Sequence, residues 1–559
     1  MDSMESPLDA ASLARALGLH PLIARVLCAR GMCTPEAARR FLSPRLADLS
    51  LPDAMADRAL AAERLADAIR RRERVVIFGD YDVDGLTSSA LLTRVLRRLG
   101  GDVTALVASR FDGGYGLSDA ALHRVLAERP SLVITCDCGT SDHARLAALR
   151  AYGIDAIVVD HHKVPEEALP ALAFLNPHRP NCAFPYKHLT SVGLAFSLAA
   201  AVRARLGASI DLRGLLDLVA LGTIADVAPL DGDNRILTRA GILRIGDGEV
   251  TPGVRALLAE VKPKFRLAAR DLGFQVTPLL NAPGRLGSAM PTLRLLLEDD
   301  PVRAASLARD LALANQQRKE ISAALVAQAV RQVEQVYGTE LPRGVVVAGD
   351  GWHHGMGGIV AGRLVDRYNV AVAVIALDGN EGVGSVRAPR GMKVFDAVKA
   401  CREHLVRWGG HDGAAGLTLH RDRLEAFRAS FADAMAQQPL PDATTARADV
   451  ELTEADLTAP LGRDLVSLEP TGEGNPEVLA ELRGAQLRDV RPVGEGHLRV
   501  TFALGRRTLG GFVRDGQARR ERGEIPAAPC RVAARGSLRL DPWSGPDAVQ
   551  LEVLTMRAD

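Results

Sequence analysis

Aromatic residues make up only 4% of the 559-residue chain. No stretch reaches about 18 apolar residues without a charge, which excludes a membrane-spanning helix. The first residues, MDSMESPLDAASLARALG, lack a basic stretch followed by an apolar run, so no secretory signal is expected. Cysteines number seven, an odd count at scattered positions. That excludes a disulfide framework and points to a reducing compartment, with the cytoplasm as the default. Cys136-Asp137-Cys138 is too tight for a CxxC zinc or redox pair. Charge of one sign is missing as well: 69 basic residues face 68 acidic ones, for a net charge of +1. Such a balance neither demands nor excludes nucleic acid, because a binding cleft can be locally basic and a metal site locally acidic.

What is present is ordinary folded composition, 47% hydrophobic and 25% charged. At roughly 100–200 residues per domain the chain holds about three to five domains. Residues 1–50 read as a cap of short helices packed against the domain that follows, with Thr34-Pro35-Glu36 as one helix start. Residues 56–72 form a further helical run. RVVIFG (74–79), DVTALVAS (102–109), SLVITCD (131–137) and IDAIVVD (154–160) read as buried strands, and helical periodicity fills the gaps between them. Strands alternating with helices predict a parallel sheet built from βαβ units. The pattern ALANQQRKEISAALVAQAVRQVEQVYG predicts a long helix, and VVVAGD (345–350) restarts a second α/β unit. From about 445, short runs with polar breaks predict a small β-barrel. The expected division is a helical cap at 1–50, a first α/β domain at 51–310, a connecting helix at 311–338, a second α/β domain at 339–442 and an OB-like barrel at 443–559.

The stretch FGDYDVDG (78–85) places Asp80, Asp82 and Asp84 at alternate positions between a strand and a helix. Ligands bind at that address in open parallel sheets. Asp137, then Asp160, His161 and His162, end two further predicted strands, and Asp226 follows a buried-looking run in GTIADVAP. Taken singly, Asp80 or Asp137 reads as a helix cap. Together these groups read as a metal site. Carboxylates with one or two imidazoles and no thiolate pattern suit Mn2+ or Mg2+ better than structural zinc. The groups suffice for two ions sharing a carboxylate, an arrangement that hydrolyses phosphodiesters. Cations between the aspartates would also make their crowding tolerable.

The motifs FGDYDVDG, CDCG (136–139), VDHH (159–162) and GTIADVAPL (222–230) resemble the DHH phosphoesterase superfamily. LNAPGRLG (280–287), GWHHGMGGIVAGRL (351–364), GSVRAP (384–389), WGGHDGAAGLTL (408–419) and LEPTGEGNPEV (468–478) extend the resemblance to its RecJ exonuclease family over roughly residues 50 to 550. The resemblance implies a two-metal centre with Asp82, Asp84, Asp137, His161 and Asp226 as ligands. Asp80 would be a ligand or an adjoining carboxylate, Asp137 the bridge, and His162 a contact to the scissile phosphate or a support for the site. It also implies a second lobe, the DHH-associated DHHA1 domain, whose GGH motif falls at Gly409, Gly410 and His411. Ser385 and Arg387 would contact phosphate. Arg110 and Tyr115 would line the cleft from the first lobe, and Arg285 would clamp the backbone near the metals.

The implied activity is 5′→3′ degradation of single-stranded DNA to 5′-mononucleotides in repair and recombination. A narrow cleft would exclude duplex. The family further implies a single-strand-binding protein and a helicase as partners; a monomer and no membrane association are expected. In the barrel, Arg499, Arg506, Arg507, Arg514, Arg519 and Arg520 would follow the backbone, with Phe502, Phe512 and Trp543 as stacking candidates. Three positions depart from the family pattern: His354 stands for the proline of WHPG, Pro283 for the second alanine of NAAGR, and Ala388-Pro389 where a serine usually follows GSxR. The last removes a hydroxyl from the region expected to hold the 5′ end. Two other readings share these motifs. One is a phosphodiesterase of short oligonucleotides, cyclic dinucleotides or pyrophosphate. The other is a non-catalytic single-strand-binding scaffold.

Overall fold

Four continuous apolar runs, each closed by a turn, become four of the five strands of the first of three sheets. The structure is a computed structural model, and it describes residues 8–438 and 448–559. Strands β1 (Arg74–Gly79), β2 (Asp102–Val107), β3 (Leu132–Cys136), β4 (Asp155–Val159) and β5 (Ala173–Leu175) lie in the order β2-β1-β3-β4-β5. All of their pairings are parallel. Beyond β1 the order changes direction, because β2 lies on one side of it and β3 on the other. That reversal opens a crevice past the carboxyl ends of β1 and β3.

The second sheet contains β6 (Gly344–Asp350), β7 (Ala371–Asp378), β8 (Glu381–Arg387), β9 (Arg407–His411) and β10 (Ala414–His420), in the order β6-β7-β8-β10-β9. The connecting helix runs Pro301–Tyr337, starting ten residues before the expected 311. Asp300 caps it by accepting the Arg303 N–H, and Pro301 sits in its first turn, where a missing N–H costs nothing. Ala304, Ala308 and Leu311 join the core of the first lobe, while Leu325, Ala329 and Val333 join that of the second. One helix is thus embedded in both cores.

The third sheet comprises β11 (Val450–Glu451), β12 (Leu479–Val493), β13 (His497–Leu504), β14 (Arg507–Val513), β15 (Cys530–Leu540) and β16 (Val549–Ala558). Pairing of β12 with β15 closes it into the expected OB-like barrel.

The N-terminal helices α1 (Ala10–Leu17), α2 (Pro21–Ala29) and α3 (Pro35–Leu42) correct one expectation. Their buried side chains, among them Leu13, Leu22, Ile23 and Leu27, share a core with barrel residues such as Leu482, Val500 and Val532. Their core is shared with the barrel, and they reach the domain that follows them only at its rim, where Phe41 meets Arg235. Helix α4 (Arg58–Arg70) does pack on the first lobe, through Ala61, Leu65 and Ala68.

Candidate metal centre and substrate cleft

Glycines let β1 meet the next helix at close range. A Cβ at Gly79 would lie 2.2 Å from Ser89 Oγ, and one at Gly85 would lie 2.6 Å from the Asp80 carbonyl. The chain therefore turns tightly into α5 (Val83–Arg98), whose N-cap Asp82 accepts the Gly85 N–H at 3.0 Å. Asp84, in the first turn, is buried. It accepts N–H groups from Ser191 (2.8 Å) and Val192 (2.9 Å) at the start of α8 (Ser191–Arg205). A helix N-terminus is a favourable place for a carboxylate. Asp137 follows β3 with φ +60°, a left-handed conformation that aspartate tolerates better than most residues. Its carboxylate accepts the Ser191 hydroxyl at 3.0 Å.

His161 Nε2 points into this group. It lies 3.3 Å from Asp137, 3.7 Å from Asp226 and 4.0 Å from Asp84. Asp226 caps the C-terminus of α9 (Leu216–Ala225). Three sets of potential ligand atoms lie within 4.8 Å of one another: Asp80, Asp82 and Asp137; Asp84, His161 and Asp226; and Asp137, His161 and His162. Asp137 belongs to two of them. Asp80 Oδ1 and His161 Nε2 are buried without a hydrogen-bond partner. Buried polar atoms are nearly always satisfied, so two orphans in one cluster are what a site for bound cations presents.

Electrostatics agree. Burial, followed by the charge of Asp82, pushes Asp84 up to about 7. Burial, followed by Asp84 and Asp82, pushes Asp226 up to about 8. Asp80 and Asp137 are raised well above the usual carboxylate range, first by burial and then by neighbouring aspartates. Burial and then His162 lower His161 to about 4, leaving a neutral ring with a lone pair free for a metal. The donor set of carboxylate oxygens and one or two imidazoles fits Mn2+ or Mg2+.

Ser191, which carried no expectation, and Asp160, which the sequence groups with the ligands but no ligand set includes, complete the centre. Ser191 holds both Asp84 and Asp137. Asp160, fully buried, accepts from His162 Nδ1 at 2.8 Å and from the Thr140 N–H at 3.1 Å. Burial opposes ionisation of Asp160, but the hydrogen bond and charge of His162 outweigh it and hold the carboxyl low. Burial likewise opposes the charged form of His162, yet Asp160 wins and raises it to about 9. The Tyr115 hydroxyl lies 3.1 Å from both His162 Nδ1 and the Asp137 carbonyl.

Across the cleft, a helix begins at Gly357-Gly358 (Gly357–Tyr368). A Cβ on Gly357 would lie 3.2 Å from Ser385 Oγ, and one on Gly358 would lie 2.9 Å from an Arg387 Nη. Ser385 and Arg387 therefore lie against a helix N-terminus, which favours anions. Arg110 stacks 4.2 Å above the Tyr81 ring. Arg285 donates to the Gly355 carbonyl at 3.4 Å, and a Cβ on Gly355 would collide with the Arg285 carbonyl. Burial, then Arg110, Arg318 and Arg387, lowers Arg285 to about 10. Among the described residues, no carboxylate forms an ion pair with Arg110, Arg285 or Arg387. Gly409, Gly410 and His411 lie exposed on edge strand β9. Partial burial, then the charges of Arg387 and His162, lower His411. Phe111 touches His353 and His354 at ring distances of 5.6 and 4.5 Å, so His354 contributes to the contact between lobes.

The barrel surface corrects two expectations. Phe502 is fully buried in the barrel core, since its position on β13 points inward, and offers no face to a base. Half of the arginine row is paired with carboxylates. Arg499 pairs with Asp541 (2.5 Å), Arg514 with Glu552 (3.3 Å) and Arg519 with Glu524 (2.9 Å), while Arg507 donates to the Leu457 carbonyl. Trp543 is 68% exposed, edge-on to Phe265 at 5.1 Å and beneath Lys264 Nζ at 5.0 Å.

Known families match along the whole arrangement. The DHH family, N-terminal domain, matches residues 74–223; the DHHA1 domain matches 342–437; the RecJ OB domain matches 448–555. The single-stranded-DNA-specific exonuclease RecJ of Dickeya dadantii is 41% identical over 465 residues, covering 79% of this chain and 80% of that protein. Its counterpart from Thermus thermophilus is 34% identical and covers 97% and 78%. The crystal structure of RecJ from Thermus thermophilus in complex with Mn2+ superposes with a TM-score of 0.82 at 32% identity, covering 98% of this chain and 78% of that one. The Mg2+ complex of the same protein gives a TM-score of 0.77 at 30% identity, covering 98% and 76%. The chain belongs to the RecJ family of the DHH–DHHA1 superfamily.

Proposed function

We propose that this protein is a metal-dependent exonuclease that removes 5′-mononucleotides from single-stranded DNA in the 5′→3′ direction. The observation that carries the reading is the cluster of five aspartates and two histidines at the β1–β3 crevice, with two buried ligand atoms left unpaired. Asp80, Asp82, Asp84, Asp137, His161 and Asp226 would hold two Mn2+ or Mg2+ ions, with Asp137 between them. Such ions would lower the pKa of an attacking water and offset the charge on the phosphoryl oxygens.

The other roles fall to the chain's own groups. His162, oriented through Nδ1 by Asp160, keeps Nε2 free to donate to a non-bridging oxygen of the scissile phosphate. The Tyr115 hydroxyl lies against that same Nδ1 and leaves Nε2 unobstructed. Arg110, Ser385 and Arg387, beside the Gly357 N-terminus, form a seat for a terminal 5′-phosphate. Arg285 and the Gly409-Gly410-His411 edge hold the strand between that seat and the metals. A site reading one strand end at a fixed distance from the reacting phosphorus releases single nucleotides. No helix is long and apolar enough to cross a membrane. The reading extends to a cytoplasmic monomer that works in repair and recombination beside a single-strand-binding protein and a helicase, in keeping with seven free cysteines.

The test uses one oligonucleotide labelled at either end, and the same sequence as blunt duplex, with Mn2+, Mg2+ or EDTA. Immediate release of labelled mononucleotide from the 5′-labelled strand, a ladder from the 3′-labelled strand and little duplex cutting are expected. EDTA and Asp137→Ala should abolish all cleavage. Strand binding without cleavage under either metal would move the protein to the scaffold reading. Cleavage confined to very short oligonucleotides would make it a small-substrate phosphodiesterase.

A further inference from the structure

Asp226 is held differently from three of the other candidate ligands. Asp82, Asp84 and Asp137 each accept hydrogen bonds that fix their carboxylates. The Asp226 carboxylate accepts none among the described residues. Its direction depends on the backbone of residues 226–230, which leaves α9 through Val227 at φ +58°. That segment is braced from within the catalytic lobe, where the Pro229 carbonyl accepts from Tyr186 and Asn234, and also from outside it. The Glu473 carbonyl accepts the Leu230 N–H at 2.7 Å. Gly472 and Gly474 flank the same residue: a Cβ on Gly472 would lie 2.8 Å from Leu230 Cδ1, and one on Gly474 would lie 3.0 Å from Pro229 Cβ.

The turn that carries these contacts belongs to the loop leading into the barrel, and that loop is fastened at both ends. Arg235, on helix α10 (Gly232–Gly246), donates to the carbonyls of Leu468, Glu469 and Pro470 at 3.1 Å each and to that of Phe41 at 3.0 Å. Arg30, at the end of α2, reaches Asn475 Oδ1 at 2.9 Å, and Asn475 Nδ2 returns to the Leu468 carbonyl at 2.9 Å. Cap, barrel and catalytic lobe therefore meet on one loop, whose tip presses on the segment behind Asp226.

We propose that the turn at residues 472–475 is a positioning element for the metal ligand Asp226, through which the barrel sets the occupancy of one of the two metal positions. The proposal rests on the two-metal reading above. Asp226 groups with Asp84 and His161, whereas Asp80, Asp82 and Asp137 form a set without it. Displacing the turn weakens one ion and spares the other.

The experiment titrates Mn2+ into the full-length protein and reads free Mn2+ by electron paramagnetic resonance. Wild type is compared with Gly474→Ala, Gly472→Ala and Gly496→Ala. Gly496 is the matched control, because it has φ +79° with nothing within 4 Å, so alanine there imposes the same backbone strain without touching the turn. In Gly474→Ala one Mn2+ should weaken by about tenfold or more, the scale on which groups that orient metal ligands act. The second ion, and single-strand binding in EDTA, should match wild type. Gly496→Ala should bind both ions normally. If Gly474→Ala does not fold, Gly472→Ala carries the test, since its closest neighbour is the movable end of Leu230. Unchanged affinities in both turn variants would overturn the proposal. So would equal weakening of both ions, or the same loss in Gly496→Ala. A wild type that binds a single ion would overturn the two-metal reading instead, and the positioning role would then stand or fall on whether Gly474→Ala alone weakens that ion.

Discussion

Metal-free protein should lose stability as pH rises through neutrality, and Mn2+ should restore it. Asp84 is pushed up to about 7 and Asp226 to about 8 by burial and by neighbouring aspartates, against an ordinary value of 3.8. Both pKa values are higher in the folded chain than in the unfolded one. Between about pH 4 and 8 the folded state therefore binds more protons, so stability is highest at the acid end and is lost as pH rises through the folded values. For one carboxyl held near 7, the loss is ~4 kcal/mol counted from pH 4, of which ~2 kcal/mol falls above pH 5.5. The aspartates titrate together, so that figure sets the scale and is not multiplied by their number. In a lobe of this size the part above pH 5.5 corresponds to a fall in melting temperature on the order of 5 °C. The assay is a melting series from pH 5.5 to 8.5 in EDTA and in excess Mn2+. The gap between the curves should widen with pH, because cations bind the ionised carboxylates. Asp84→Asn should flatten the EDTA curve while abolishing nuclease activity. An EDTA curve that is flat or rises with pH, or a Mn2+ gap equal at both ends, would refute the reasoning.

Three further outcomes are expected. Arg387→Ala should lower the preference for a 5′-phosphorylated over a 5′-hydroxyl strand by ~1.5–3 kcal/mol, the range for a charged hydrogen bond, read as the ratio of kcat/KM for the two ends. Arg235→Met strips a charged donor from several buried carbonyls and should destabilise the cap–barrel junction by ~3–5 kcal/mol; urea unfolding, and faster proteolysis of the 467–477 loop, would register it. Trp543→Ala should weaken single-strand binding in EDTA by ~1–2 kcal/mol and leave kcat at saturating strand unchanged, whereas a fall in kcat alone would place Trp543 outside the strand path.

The parts legible in sequence are those that local pattern determines. The strands β1 to β4 are continuous apolar runs ending in turns, and a residue just past such a strand must stand at the crevice. Asp80, Asp82, Asp84, Asp137 and His161 could therefore be placed together without coordinates. Strand β5, three residues long, carries no such pattern. Ser191 is invisible as a site residue because its role depends on where α8 docks its N-terminus, which no local spacing encodes. Asp160 sits at a readable address, but its task as the partner of His162 needs the side chain's direction. The N-terminal helices show amphipathic faces without showing what covers them, and their partners lie some 400 residues downstream. On β13 the alternation decides that Phe502 faces inward, and only the barrel's closure makes that inside.

The shared core of α1–α3 and the barrel has a consequence for biosynthesis. Residues 8–42 leave the ribosome well before the barrel, and the surface that buries Leu13, Leu22 and Leu27 is not complete until β16 has emerged. At about 5–20 residues per second the helices wait tens of seconds with their apolar faces uncovered. Meanwhile the parallel sheet and the lobe beyond it can form in order of synthesis. Strand β16 therefore completes the burial of helices made long before it, so a polypeptide cut short before β16 exposes the unburied faces of α1–α3, a surface that quality control can recognise.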